Sequence, residues 1–354
     1  MSREIGIDLG TANVLIHLKG RGIVVNEPAV VAVDLNTNEI VAYGQEAYDM
    51  IGRTPETINV IHPLEGGVIS DYDLAEAMLI LFMRRIQNNS LFSRPVILIC
   101  APSQINDIEK QSLIETAERA SGGIVYVEEE TKVAALGAGG NIMAPQGTMV
   151  IDIGGGTSDI AVISQGEITN SKSLRMAGDY FNDAIIEFVK EKYHLLIGDK
   201  TAEQVKIAIS SAILLPEDDL SYYDVNGLDL VTRLPKAVKL NSNDMAMALA
   251  EPLEAIAQAV ESVLKNVRPE LLADIVESGI LLTGGGALID QLDEYLSGRL
   301  EISVIKVDQP MNSVAIGTGL MLELIQSGEF EKSKPTRWQL FKRQLQRFKR
   351  RLMG

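Results

Sequence analysis

One cysteine, three scattered histidines, one tryptophan and no long apolar run define what this 354-residue chain does without. The lone Cys100 excludes a disulfide within the chain and suits a reducing compartment. His17, His62 and His194 fall at no spacing that would build a zinc site with it. No apolar stretch reaches the roughly 18 residues that a membrane span needs. The opening MSREIGIDLG passes straight into a strand pattern, without the basic and apolar regions of a signal peptide. A cytoplasmic protein is expected, one that can still lie on a membrane. There is no G-x-x-x-x-G-K-[ST], which excludes a P-loop. The glycine triplets do not form a G-x-G-x-x-G that opens a helix, which argues against a dinucleotide fold.

What is present is an ordinary globular composition, with 46% hydrophobic and 23% charged residues and length enough for two domains. Charge is unevenly spread. Lys332–Gly354 holds nine Lys/Arg and no Asp/Glu, so the preceding part carries 23 basic against 48 acidic residues, a net of −25. Such an acidic body excludes nucleic acid as the main partner, because phosphate binding rests on clustered positive charge.

The chain alternates strands and helices, the pattern of an α/β protein. Extended runs fill residues 4–43, and DYDLAEAMLILFMRRIQ reads as a helix followed by the buried strand PVILICAP. Helices are expected near 178–195, 201–214 and 243–266, with a polar β-like stretch near 220–240. GILLTGGGALIDQLDEYLS reads as strand, glycine loop, helix. One design occurs twice: GIDLGTANVLIHL near the start and VIDIGGGTSDIAVI in the middle share Asp, a hydrophobic residue, Gly and Thr between two extended segments. That repetition predicts two related lobes facing each other.

Two such hairpins suit one chemistry. Gly10 and Thr11, and Gly154, Gly155, Gly156 and Thr157, let backbone N–H groups approach an anion without a Cβ in the way. Asp8 and Asp152 stand at the strand ends just before these loops. A carboxylate beside a phosphate repels it unless Mg²⁺ and its waters lie between. The pair therefore points to Mg²⁺ and a nucleoside triphosphate between two lobes. The third loop, Thr283 to Gly286, either covers a base or α-phosphate or is a tight packing turn. Glu203, Lys206 and Ser210 fall at i, i+3 and i+7, placing them either on a sugar-binding face or on a solvated one.

These residues resemble the actin/Hsp70/sugar-kinase ATPase superfamily, and within it most closely the MreB family of bacterial actins. The resemblance runs from about residue 3 to 326 through GIDLGTANVLI, NEPAVVA, VIDIGGGTSDIAVIS, SLRMAGDYFNDAI, TAEQVKIAI, GILLTGGGALI and QPMNSVAIGTG. It implies an actin-like fold: lobe I at 1–143 with a small subdomain near 32–66, and lobe II at 144–314 with one near 181–242. Residues 315–330 would return to lobe I, with a linker and basic helix at 331–354. It implies that Asp8, Gly10, Thr11, Ala12, Asn13, Gly154 to Thr157 and Gly178 surround ATP. Glu203, Lys206, Ser210 and Gly284 to Gly286 would hold the adenosine, with Mg²⁺ held by Asp8 and Asp152 mainly through water. The water-orienting carboxylate of relatives lies in a Glu-Glu-Pro segment. Here that segment is VEEETKVAALGAG, which puts Glu130 nearest the reacting water, with Glu129 beside it and Thr157 as hydroxyl partner in proton transfer. Thr131 and Lys132 replace the usual proline and apolar residue, and Ala208 replaces a common glutamate.

Of the functions such a core serves, a chaperone would need a substrate domain after residue 330, and a sugar kinase a second pocket with its base. A polymerising actin needs neither, since its partner is another copy. The resemblance implies paired antiparallel protofilaments attached to the inner face of the cell membrane, with other cytoskeletal or cell-wall-synthesis proteins as candidate partners. Two segments carry that expectation here. Leu91 and Phe92 stand on the polar loop NNSLFSRPV, at the family's membrane-inserting position. Trp338, Phe341, Leu345, Phe348 and Leu352 recur at spacings of 3, 4, 3 and 4, an apolar helical stripe flanked by basic residues suited to an anionic lipid surface.

Overall fold

The structure is a computed structural model, in which residues 4–86, 95–101 and 107–330 are described. Leu91, Phe92 and all of 331–354, including Trp338, Phe341, Leu345, Phe348 and Leu352, lie outside the described residues.

The chain begins with β1 (Glu4–Leu9), β2 (Asn13–Leu18) and β3 (Gly22–Pro28). A small unit follows: β4 (Val31–Asp34), β5 (Glu39–Tyr43), the short helix α1 (Gln45–Met50) and β6 (Ile58–Ile61). The two-residue strands β7 (Leu64–Glu65) and β8 (Val68–Ile69) lead to α2 (Tyr72–Ile86), β9 (Val96–Ala101), α3 (Asp107–Ser121), β10 (Ile124–Glu129) and α4 (Glu130–Gly137). The second half opens with β11 (Thr148–Ile153), β12 (Ser158–Ser164), β13 (Glu167–Leu174) and α5 (Gly178–Tyr193). Next come β14 (Leu195–Leu196), α6 (Asp199–Ile209), β15 (Tyr222–Asp229), β16 (Pro235–Asn241) and α7 (Ser242–Leu264). The chain continues through α8 (Pro269–Ser278), β17 (Ile280–Thr283), α9 (Leu292–Leu300), β18 (Val304–Lys306) and α10 (Ser313–Ser327).

The repeated design in the sequence corresponds to a repeated topology. One five-stranded sheet has the order β10-β9-β1-β2-β3, the other β13-β12-β11-β17-β18. In each, an antiparallel hairpin is followed by a strand parallel to its first member, β9 beside β1 and β17 beside β11. The central strands are buried along nearly their whole length, which is why EIGIDL, VILICA and TMVIDI read as continuous apolar runs rather than alternating ones. A three-stranded sheet β5-β4-β6 belongs to the first half and β14-β15-β16 to the second.

Helices close over these sheets through spaced apolar faces. Phe181, Ile185 and Val189 of α5 are fully buried at four-residue spacing in the same core cluster as Leu249 and Leu253 of α7. Each such side chain stabilises the fold by about 1.5–3 kcal/mol, and Phe181→Ala would cost about 3–5 kcal/mol. α7 starts on a reciprocal cap: the Asn241 side chain accepts from the Asp244 N–H and the Asp244 carboxylate from the Asn241 N–H, each at 3.0 Å.

Two elements depart from the sequence reading. α6 stops at Ile209 rather than near 214, because Ser210 turns extended and the Ser211 hydroxyl bonds locally to the Ile213 carbonyl. The third glycine loop does not open an α-helix directly. It forms a single 3₁₀ turn over Gly285–Leu288, and α9 begins only at Leu292.

α4 and α10, the helices that join the halves, approach backbone to backbone at two glycines. A Cβ on Gly137 would lie 1.8 Å from the Ser313 carbonyl oxygen, and one on Gly317 would lie 2.0 Å from that of Val133. Glycine is required at both positions.

Candidate active site

Each hairpin turns through the same bond. The Gly10 N–H donates to the Asn13 carbonyl at 3.0 Å, and the Gly154 N–H to the Thr157 carbonyl at 2.9 Å. The two loop tips meet: a Cβ on Gly155 would lie 2.6 Å from the Ala12 methyl, and one on Gly156 2.7 Å from the Thr11 hydroxyl oxygen. Gly178 joins them, its N–H donating to the Gly154 carbonyl at 3.1 Å. The third loop rests on the second hairpin. Gly284 has φ +84°, and a Cβ there would meet the Asp152 Oδ1 at 2.5 Å. A Cβ on Gly286 would strike Ile153, while Gly285 faces open space. Structure thus brings Asp8, Gly10 to Asn13, Asp152, Gly154 to Thr157, Gly178 and Gly284 to Gly286 into one region.

Carboxylates face one another here. Burial pushes Asp8 up to about 7. Burial, then Asp159 and Asp8, hold Asp152 well above the usual carboxylate range. Glu130 is raised by burial first, then by Asp8, Asp152 and Asp159. It keeps part of its surface open toward the loops while protein packs densely around the rest. Burial also raises Asp159, although the hydroxyls of Ser173 and Thr157 hydrogen-bond to it and offset part of the effect. Among the described residues no three acidic or histidine side chains close around one point as direct metal ligands. The acids raise one another, a repulsion that a cation among them would relieve.

The structure separates the three consecutive glutamates. Glu128 is buried beside Lys132 at 3.3 Å, and Glu129 lies 3.7 Å from the same ammonium. Glu130, the first residue of α4, is near enough to feel the carboxylates of both hairpins, Asp8 and Asp152. Lys132 fills its unusual position as a buried cation, also 4.0 Å from Glu167 and stacked over the Phe330 ring. Thr131 is fully buried next to it.

On α6 the expected trio divides. The Lys206 ammonium donates to the Gly178 carbonyl at 2.8 Å. Burial lowers its pKa, while Glu203 and Asp179 act in the opposite direction. Glu203 accepts from the Tyr48 hydroxyl of the other half. Ser210 falls past the helix end, beside Asp290, whose N–H donates to the Ser210 carbonyl at 3.2 Å. Ala208 is exposed.

Sequence reading overlooked three participants. Asp159 pairs across the strands with Asp152, and its signal was the single acid within the apolar strand SDIAVIS. The Gly66-Gly67 turn reaches the first loop, the Gly67 N–H donating to the Thr11 hydroxyl at 2.9 Å. Tyr48 sits on α1, a six-residue helix with too little periodicity to be seen.

A nucleotide with Mg²⁺ fits what is present. The glycine cradle admits no Cβ at Gly155, Gly156, Gly284 or Gly286. The buried Ser210 hydroxyl and Asp159 Oδ1 have no protein partner, and such groups call for one. The crowded carboxylates favour a cation.

Known proteins are similar to this chain in sequence and fold. The profile of the family described as MreB/Mbl protein matches residues 2–329. Cell shape-determining protein Mbl of Bacillus subtilis (strain 168) is 49% identical over 322 residues, covering 91% of this chain and 96% of that protein. Cell shape-determining protein MreB of Escherichia coli (strain K12) is 42% identical over 330 residues, covering 92% and 94%. The crystal structure of MreB5 of Spiroplasma citri bound to ADP superposes with a TM-score of 0.88 at 37% identity, covering 93% of this chain and 98% of that one. The MamK double helical filament gives 0.75 at 20% identity, covering 91% and 99%, a likeness of fold.

Proposed function

This chain belongs to the MreB/Mbl family, and from that premise we propose an ATP-hydrolysing cytoskeletal protein that polymerises into membrane-bound filaments and sets or changes cell shape. The observation that carries the reading is the convergence of two phosphate-type loops with Glu130 facing both. Its relatives Mbl and MreB are cell shape-determining proteins, and MreB5 has been solved with ADP and with AMPPNP.

The chain's own groups divide the work. Backbone N–H groups of the Gly10–Asn13 and Gly154–Thr157 loops bind and orient the phosphates. Asp8 and Asp152 would hold Mg²⁺ through its waters, and the ion when bound neutralises charge on phosphates and carboxylates alike. Glu130 orients a water in line with the terminal phosphate and accepts its proton, with Thr157 beside it in the transfer. Lys206, Glu203, Ser210 and the Gly284–Gly286 loop receive the adenosine. Because both halves contribute to one site, nucleotide binding sets the angle between them, and that angle selects the form that joins a filament. Self-assembly as paired antiparallel protofilaments follows the family pattern.

Attachment to the inner face of the cell membrane is assigned to Leu91 and Phe92 and to the basic 331–354 segment. No helix among the described residues is long and apolar enough to cross a membrane, so binding would be peripheral. About five cations facing anionic lipid, at about 1 kcal/mol each, offset local repulsion of the acidic body.

Sedimentation with Mg-ATP, with and without anionic liposomes, tests the reading. The full chain should pellet with ATP. Removal of residues 336–354 should leave ATP binding intact and strongly lower liposome attachment, and attachment should weaken as salt rises. Leu91→Asp with Phe92→Asp should reduce lipid binding while polymers still form. A chain that binds Mg-ATP yet never pellets would overturn the filament reading.

A further inference from the structure

One side chain of the first half reaches the sugar end of the site in the second. Tyr48, on α1, donates its hydroxyl to Glu203 Oε2 on α6. Lys200, one turn before Glu203, braces the contact from the other side. Its ammonium lies 4.6 Å from the Tyr48 ring centroid, 3.4 Å from the Tyr48 carbonyl oxygen and 3.5 Å from Asp49 Oδ1. Burial and the neighbouring Glu203 carboxylate push the phenol well above its ordinary range, so it stays protonated and can only donate to that acid.

A carboxylate has two oxygens and about four acceptor sites. The phenol occupies Oε2 and restrains the rotation of the group, which leaves Oε1 to accept from another donor. Three residues further along α6, the Lys206 ammonium ties the helix to the Gly178 carbonyl, and Gly178 is itself bonded to the Gly154 carbonyl of the second phosphate loop. The cleft edge of α6 is therefore anchored to the phosphate loop at Lys206 and to the opposite half at Glu203.

We propose that Tyr48 is a positioning residue for sugar recognition: it holds Glu203 so that the free oxygen accepts from a ribose hydroxyl of the bound ribonucleotide. A donor from one half thereby completes the sugar site of the other, and recognition of the sugar is joined to closure of the two halves. The proposal rests on the reading of Glu203 as the ribose contact. A glutamate free to rotate pays conformational entropy when it binds a hydroxyl, and the phenol removes that cost beforehand.

Calorimetric titration of the full chain with Mg-ATP and with its 2′-deoxy and 3′-deoxy analogues tests this. The readout is the preference for ATP over each analogue, a ratio that a merely structural role would leave unmoved. Tyr48→Phe keeps the ring against Lys200 and loses only the hydroxyl. It should lower the preference for at least one analogue pair by about 5- to 10-fold, the scale of one ordinary hydrogen bond. Affinity for that deoxy analogue should stay within about twofold. Glu203→Gln should lower the same ratio. If Glu203→Gln lowers it and Tyr48→Phe does not, Tyr48 has no positioning role. If neither does, Glu203 is not the ribose contact and the proposal falls with that assignment; the phosphate site is checked separately, by loss of binding in Asp152→Ala.

Discussion

The two phosphate-type hairpins are built alike and finished differently. Both place an aspartate at the end of a buried strand, and both close on a glycine N–H bonded three residues ahead. Opposite Asp8 in the strand pairing stands Leu15, whereas opposite Asp152 stands Asp159. The first loop keeps a single glycine, Gly10, followed by Thr11 and Ala12, and the second carries three. Space explains the glycines: the second loop is hemmed in by Ala12, Thr11 and Gly66 from the first half and by Gly178 from its own. The first loop brings the side chains and the second yields room to them. The two hairpins share one scaffold and differ in the groups set on it.

Glu130 stands against both hairpins, so its loss should be the largest effect. Glu130→Ala should slow phosphate release by about 100-fold with nucleotide binding retained, and filaments should persist longer. Normal release would move the role to Glu129 or another group. Next in size, Asp152→Ala should weaken Mg-nucleotide binding by about 10- to 100-fold in a calorimetric titration. Asp8→Ala run in parallel ranks the hairpins, and unchanged affinity in the Asp152 variant would remove it from the site.

A third test uses proton linkage. Without nucleotide and Mg²⁺, folded Asp8 keeps its proton up to about pH 7, whereas an unfolded aspartate loses it near 3.8. Between those values the folded state binds more protons, so stability falls as pH rises. Melting temperature should therefore decline across that window by several degrees, and Mg-nucleotide should flatten the decline. Asp8→Asn and Asp152→Asn should each remove part of it, and the larger share marks the hairpin that bears more of the charge burden. Smallest are the glycine effects. Gly155→Ala must push on Ala12 and should cost about 1–3 kcal/mol, while Gly285→Ala, facing open space, should leave the melting temperature almost unchanged.

Much of this comparison was legible in the residues themselves. DLGT and DIGGGT carry their turns and acids within a few consecutive positions, and a local pattern survives in a linear string. The repeat pointed to two related lobes, while the strand order of the two sheets came from the structure. The end of α6 was misread because GDKTAEQVKIAISSAILL keeps helical periodicity beyond Ile209, while the Ser210 backbone turns extended and the Ser211 hydroxyl bonds locally. Tyr48 with Glu203, and Asp159 with Asp152, depend on pairing between distant or opposed positions that no local spacing encodes. The neutralisation of Lys132 by Glu128 and Glu129 had a local signal in its i, i+4 and i, i+3 spacing, and only burial gives that signal weight.

The glycine contacts between α4 and α10 have a mechanical meaning. Where backbone touches backbone at Gly137 and Gly317, the helices cannot draw closer. That is the behaviour of a fulcrum. α4 forms one side of it, and the first residue of α4 is Glu130. Any change in the angle between the halves must swing the lever that ends in this carboxylate. On the proposed reading of Glu130, the timing of hydrolysis would follow the shape of the subunit through a helix of eight residues.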